Sequence, residues 1–318
     1  MPSVVPMPIM VPLSIRVVPS DKLYVSEPNP VSFGNVDNPP ISVPFWNYDN
    51  WLHTKFHFSF GGDYDNPKNE RFGVLRVVND DTVQPERGFA THGHREMEIV
   101  TYVVSGELTH EDSLGNSEAI GRGSIQFMTA GTGVEHSEHN RNETKPMRCI
   151  QTWIFPNEYG LKPRYGSYSP PPVPVVKAGD PGWENKVKHL ATNIDNDNKK
   201  DVPVKIHQDV DVYVAELEIG AQVTLDVPPG RMVYMVCIEG GFSISLEAII
   251  AETVSPSTIA CSNQHYRLKK HDSCEVTGNA GGTLSITSTE TESTENGELA
   301  HFILYIMASV EDAGRKDL

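Results

Sequence analysis

Two short stretches of the chain hold the residues whose types and spacing could do chemistry. In GFATHGHREMEIVTYVVSG, His92 and His94 are separated by one residue. On a β-strand, side chains two apart project from the same face. In GRGSIQFMTAGTGVEHSEHN, His136 and Glu138 repeat that spacing. Two such pairs on adjacent strands would gather three imidazoles and a carboxylate around one point. That donor set suits divalent iron, manganese, nickel, copper or zinc. The absence of thiolate argues against a closed structural zinc site. Four protein ligands on a metal that prefers six leave two positions for substrate and dioxygen, an oxygenase-like arrangement.

The chain has 12 histidines, so one His-x-His alone would carry little. The second pair, flanked like the first by glycine turns, carries the argument. Glu98, four residues after His94, is an alternative ligand or a partner of the ligand histidines or of solvent. His110 and His139 read as bystanders. His57 alternates with Phe56, Phe58 and Phe60 and reads as solvent-facing or as a satisfied core residue.

The elements that must position these side chains are strands. KFHFSF, GVLRVVND, EIVTYVVS, ELTHED, SIQFMT and RCIQTWIF are dense in β-branched and aromatic residues, and glycine or Asn turns separate them. Helical periodicity is almost absent, so an all-β sandwich or barrel is expected. Residues 1–46 read as a Pro-rich extended arm with the first strand, and 47–166 as the metal-binding domain. Residues 167–203, rich in Pro and Gly, read as a crossover, and 204–318 as a second β-domain. The Ser/Thr/Glu-rich run 278–298 reads as an exposed hairpin or loop. A faint repeat relates EIVTYVVSGELTHE to MVYMVCIEGGFSISLE, with Gly106 on Gly240.

Composition bounds the rest. A length of 318 residues suggests two domains, and the net charge of −16 weighs against phosphate backbones and anionic lipid surfaces. Neither direct nucleic-acid contact nor membrane association is expected. No apolar run approaches the roughly 20 residues of a bilayer helix. The Pro-broken start, without a basic region, makes a poor signal peptide. Cys149, Cys237, Cys261 and Cys274 form no Cys-x-x-Cys pair and read as reduced thiols of a cytoplasmic protein, a nuclear location staying open.

The motif H-x-H-x-x-x-E, followed by a strand and Gly and later by G-x-x-H-x-x-x-N (Gly133, His136, Asn140), resembles the two cupin motifs. HGHREMEIVTYVVSGELTHEDSLGN and MTAGTGVEHSEHN resemble the pirin family, above all its bacterial members described as quercetin 2,3-dioxygenases. NWLHTKFHFSF, FGVLRVVNDD and QTWIFPNEYGLKPRY resemble the same family outside the motifs. The likeness is strong over 50–166 and weaker but colinear over the second half.

The resemblance implies an all-β bicupin of two β-barrel (double-stranded β-helix) domains. It implies one divalent metal per chain held by His92, His94, His136 and Glu138, with Fe(II) first and Mn, Ni, Co, Cu or Zn compatible. In the second domain Asp226, Pro228 and Met232 take the places of His92, His94 and Glu98, so that domain is expected to be metal-free. The implied activity is cleavage of a flavonol such as quercetin, or a similar enediol, with O2 by a monomer, Glu138 serving also as the catalytic base. The alternative the resemblance offers is a non-catalytic, iron-binding, redox-sensing module that protein partners read.

Overall fold

A computed structural model describes residues 11–38, 44–61, 64–170, 185–248, 265–290 and 299–308. The strands are β1 (Ser14–Val18), β2 (Tyr24–Ser26), β3 (Leu52–Phe58), β4 (Leu75–Val83), β5 (Arg87–His94), β6 (Glu98–Ser105), β7 (Glu107–Asp112), β8 (Ser117–Gly121), β9 (Ile125–Thr129), β10 (Val134–Asn140) and β11 (Met147–Ile154). They continue as β12 (Arg164–Tyr168), β13 (Lys188–Asn193), β14 (Val204–Ile206), β15 (Val210–Leu217), β16 (Gln222–Val227), β17 (Arg231–Glu239), β18 (Gly241–Ala248), β19 (Tyr266–Lys269), β20 (Ser273–Thr277), β21 (Gly282–Thr289) and β22 (Ala300–Ala308). Among the described residues there is no α-helix, and the all-β cupin expectation holds.

The described residues form two compact units. One comprises Asp21–Val176 and His189–Val212. Its larger sheet runs β12-β9-β6-β11-β4-β3-β2 and its smaller one β5-β10-β7-β8, with antiparallel pairing throughout. The central strands β6 and β11 are almost wholly buried, as their near-continuous β-branched and aromatic runs require. One apolar cluster joins Trp51, Leu52, Val103, Leu108, Ile120 and Met147.

The other unit is built on the described residues within Tyr213–Asp312, Met1–Ser20 and Lys177–Lys188. Here β1-β20-β17-β22-β15 lie in one sheet and β16-β21-β18-β19 in the other. The order β12-β9-β6-β11-β4 corresponds to β1-β20-β17-β22-β15, and β5-β10-β7-β8 to β16-β21-β18-β19, with β12 and β1 in equivalent edge positions. The repeat read around Gly106 and Gly240 is thus structural. Both glycines have positive φ, 75° and 69°, and each lets the turn lie against the strand that follows in the sheet. A Cβ would come within 2.8 Å of Met147 Cα at Gly106 and within 2.9 Å of Ala300 Cα at Gly240.

The strand expected with the N-terminal arm is Ser14–Val18, which pairs along its whole length with β20, from Ser14–Thr277 to Val18–Ser273. Two stretches gain regular structure. The one read as crossover takes in the end of β12 and the whole of β13, its middle (171–184) lying outside the described residues. The run read as an exposed hairpin or loop contains β21, whose buried residues Gly282, Leu284, Ile286 and Ser288 alternate with partly exposed Thr and Ser. Threonine is a strand former, and the period-two pattern outweighs the polar composition; 291–298 lie outside the described residues. Cys149, Cys237 and Cys274 are buried free thiols, and Cys261 lies outside the described residues.

Candidate metal centre

The centre of the smaller sheet of the first unit is β10, flanked by β5 and β7. The register sets His136 opposite His92 on one side and opposite Asp112 on the other, and Glu138 opposite His110. The β5–β10 register slips between His136 and Glu138, a bulge that re-aims the second ligand pair. The result brings ligand atoms of His92, His94 and His136 within 4.8 Å of one another, and those of His110, His136 and Glu138 likewise. The two groups share His136: the first holds His92 and His94, and the second holds Glu138 with His110, a residue that reading of the sequence had set aside.

Hydrogen bonds decide which ring nitrogen carries a proton. His92 Nδ1 lies 2.8 Å from the carbonyl of Ala90, so it is the donor, and the lone pair sits on Nε2. His110 Nε2 donates to Asp112 Oδ2 at 3.1 Å, which leaves His110 Nδ1 as an acceptor. His136 Nδ1, 3.4 Å away, is then the proton-bearing partner, and its own lone pair is also on Nε2. The two lone pairs, His92 Nε2 and His136 Nε2, face each other across 3.1 Å. Burial, and then the neighbouring imidazoles, push His94 and His136 down to about 3, so both are neutral at ordinary pH. Convergent neutral lone pairs repel one another, and a cation between them relieves that repulsion. The donor set fits a divalent metal.

Glu138 is fixed from the larger sheet. Gln126 Nε2 on β9 donates to its Oε1 and Gln151 Nε2 on β11 to its Oε2, each at 2.8 Å. The glutamines are oriented in turn: the Tyr165 hydroxyl is shared between Glu118 Oε2 at 3.0 Å and Gln126 Oε1 at 3.2 Å, and Trp153 Nε1 donates to Gln151 Oε1 at 3.0 Å. The Tyr165 ring stacks on His110 at 4.1 Å between centroids, and Trp153 meets His94 edge-on at 4.7 Å. A cavity of about 470 Å3 opens on His92, His94 and Glu138.

His110, read as a bystander, is fully buried and links Asp112 to His136. The signal was present, because His110 and Asp112 have the same two-residue spacing as the ligand pairs. Gln126 and Gln151 were passed over inside apolar strand runs. Glu98 joins neither group of converging ligand atoms: it is fully buried and accepts from Thr129 Oγ1 at 3.0 Å and from the backbone N–H of His207. His57 is buried in the core. At the places aligned with His92 and His136 in the second unit, Asp226 accepts a hydrogen bond from Thr283 Oγ1 at an exposed position.

Comparison with known proteins agrees with this geometry. The Pirin family model matches residues 42–154, and that of the quercetinase C-terminal cupin domain matches 195–252. A Caulobacter vibrioides pirin-like protein is 39% identical over 190 residues, 60% of this chain and 76% of that one. The chain belongs to the pirin family. A quercetin 2,3-dioxygenase of Escherichia coli K12 is 36% identical over 195 residues, covering 61% of this chain and 78% of the relative. A Zymomonas mobilis protein provisionally given that activity is 42% identical over 194 residues, 61% and 77% of the two chains. Among solved structures, YhhW from E. coli superposes with a TM-score of 0.67 at 24% identity, covering 93% of this pirin and 99% of that chain. The fold is thus the bicupin of the bacterial pirins.

Proposed function

We propose that this pirin is a metal-dependent dioxygenase that cleaves flavonols such as quercetin with O2, its metal held by His92, His94, His136 and Glu138. The observation that carries the reading is the pair of converging Nε2 lone pairs at the edge of a cavity with the shape and lining of a small-molecule site. A relative named quercetin 2,3-dioxygenase supports the activity, and a bacterial pirin solved with nickel(II) supports metal binding by this fold. Fe(II) is the proposed native metal.

A bound divalent cation would supply Lewis acidity, lowering the pKa of a coordinated enolic hydroxyl and giving dioxygen an open position. The chain's own residues do the rest. Glu138 takes the proton of the substrate's 3-hydroxyl on a carboxylate oxygen, since each oxygen keeps a second lone pair beside its glutamine N–H. Gln126 and Gln151 hold that carboxylate in place, so little reorganisation accompanies proton transfer. The aromatic wall of the cavity excludes water from the substrate ring.

The test is elemental analysis of protein purified without added metal, followed by oxygen uptake with quercetin after loading with each divalent metal in turn. Stoichiometric oxygen uptake that follows metal content is the expected result. Metal binding without turnover by any metal overturns the reading in favour of an iron-binding module read by partners.

A further inference from the structure

The cavity has two chemical ends. Its wall is largely aromatic, with Phe33, Phe56, Phe60, Phe89 and Trp153 offering flat apolar faces. Into that wall β3 and β4 set a second polar group, apart from the metal-ligating set. The register places Thr54 opposite Asp81 and Phe56 opposite Asn79, so Asn79 and Asp81, two residues apart, share the cavity face with Thr54 between the strands' ends of the cluster. Thr54 is only 2% exposed and Asp81 4%.

These groups are under-satisfied within the chain. Asn79 Oδ1 is buried without a hydrogen-bond partner, and Thr54 Oγ1 has none beyond the Asp81 carboxyl beside it. An unpaired buried polar atom costs about 1–3 kcal/mol, so one kept facing a cavity points to a ligand group that completes it. The missing partner can be described from the atoms present. Burial raises the Asp81 carboxyl to about 7, so it and Thr54 can each donate or accept, while Asn79 Oδ1 only accepts; a hydroxyl, which does both, completes the set. The planar walls, in turn, suit an aromatic ring that bears the hydroxyl.

We propose that Thr54, Asn79 and Asp81 form a second substrate subsite that binds a hydroxyl on the ring remote from the chelating enediol, so that the protein selects flavonols hydroxylated on the pendant ring. This rests on the flavonol reading of the site and deepens it. Asn79 also lies opposite Gln151, which grips Glu138, so the subsite adjoins the proton-accepting carboxylate along one row of the sheet.

The experiment uses the metal-loaded full chain under anaerobic conditions. Equilibrium binding is measured for quercetin, which carries two pendant-ring hydroxyls, and for galangin, which carries none; aerobic KM and kcat follow for both. A satisfied hydrogen-bond set predicts that quercetin binds at least about tenfold tighter than galangin. In Thr54→Val with Asn79→Leu, and separately in Asp81→Asn, that ratio should fall toward one through lost quercetin affinity. The change should appear in KM rather than kcat, with metal content unaltered, and Thr54→Ser should restore the preference. Equal binding of the two flavonols by the unaltered protein, or a ratio that survives in the variants, overturns the subsite. If the ratio and its loss are seen but no metal supports turnover, the subsite stands and the dioxygenase reading falls. If neither flavonol binds, both fall.

Discussion

The two units of the chain share one frame and fill it with opposite chemistry. Gly106 and Gly240 mark corresponding turns, and the strands around them pair in corresponding order. In the first unit one row across the larger sheet reads Gln151, Thr101, Gln126, with Thr101 opposite both glutamines. Counting back from Gly240, the same row in the second unit reads Leu304, Met235, Cys274, all wholly buried. The polar row holds Glu138 beside a cavity. The apolar row belongs to a continuous core with Phe242, Ile244 and Phe302, in which each fully buried Leu, Met or Phe contributes roughly 1.5–3 kcal/mol. A cupin frame does not by itself make a site. In the first unit three positions of one row are polar beside a cavity, and in the second they are apolar within a continuous core.

The largest effect that tests this contrast comes from the ligand pairs. His136→Ala should reduce the metal content of purified protein from near-stoichiometric to trace and abolish oxygen uptake. Thr283→Ala, at the aligned place in the second unit, should change neither. Near-normal metal content in His136→Ala would place the metal elsewhere. Exchanging the rows comes next. Gln151→Leu removes the N–H that Glu138 Oε2 accepts and should weaken metal binding by roughly 10–100-fold in a competition titration. Leu304→Gln buries an amide with no partner in the second unit and should cost about 2–4 kcal/mol in urea unfolding, with no effect on metal affinity. Equal consequences from the two exchanges would mean that the rows are not distinct in kind.

Smaller is the effect of Asp112→Asn. The variant weakens the chain Asp112–His110–His136 that puts the lone pair of His136 on Nε2. Metal affinity should fall by about tenfold while the fold persists; unchanged affinity would show that His110 merely packs.

The metal-free protein also answers to pH. His94 and His136 are held down to about 3 in the folded state, whereas in the unfolded chain histidine protonates near its ordinary 6.5. Between those values the unfolded chain binds more protons, so stability must decline as pH falls from about 6.5. Thermal unfolding of chelator-treated protein at pH 7.5 and 5 should show this decline, and His94→Gln with His136→Gln should flatten it. A parallel pH response in the variant would assign the decline to other groups.

How much of this was legible beforehand follows from how local each signal is. His92, His94, His136 and Glu138 announce themselves because a strand's period of two makes i and i+2 neighbours on one face. That argument needs no partner strand. His110 and Asp112 carry the same spacing, but their relevance depends on β7 lying beside β10, a long-range pairing that spacing does not encode. Gln126 and Gln151 look like accidents in SIQFMT and RCIQTWIF until the register sets both beside Thr101 and turns them toward Glu138. A first strand was expected with the Pro-rich arm, but the partner of Ser14–Val18 was hidden for the same reason: β20 lies some 260 residues away. Thr54, Asn79 and Asp81 were invisible as a group because they become one only across β3 and β4.

The smallest predicted effect concerns Glu98, where the aligned residue of the second unit is Met232. Burial raises the Glu98 carboxyl to about 7, against an ordinary value of 4.5, outweighing the hydrogen bonds it accepts from Thr129 Oγ1 and the backbone N–H of His207. Below 4.5 both folded and unfolded chains hold the proton, and the group is neutral to stability. Between 4.5 and 7 the unfolded chain ionises while the folded one does not, so stability is lost as pH rises through that window and the loss is complete above it. Glu98→Gln removes the ionisation while keeping an oxygen for Thr129. Relative to the unaltered protein, its melting temperature should therefore be higher by a few degrees at pH 8 and little changed at pH 5, with metal content the same at both. A gain that is equal at the two pH values would mean that packing, rather than the buried charge, distinguishes this position from Met232. A loss of metal would instead return Glu98 to the ligand set, although it joins neither group of converging ligand atoms.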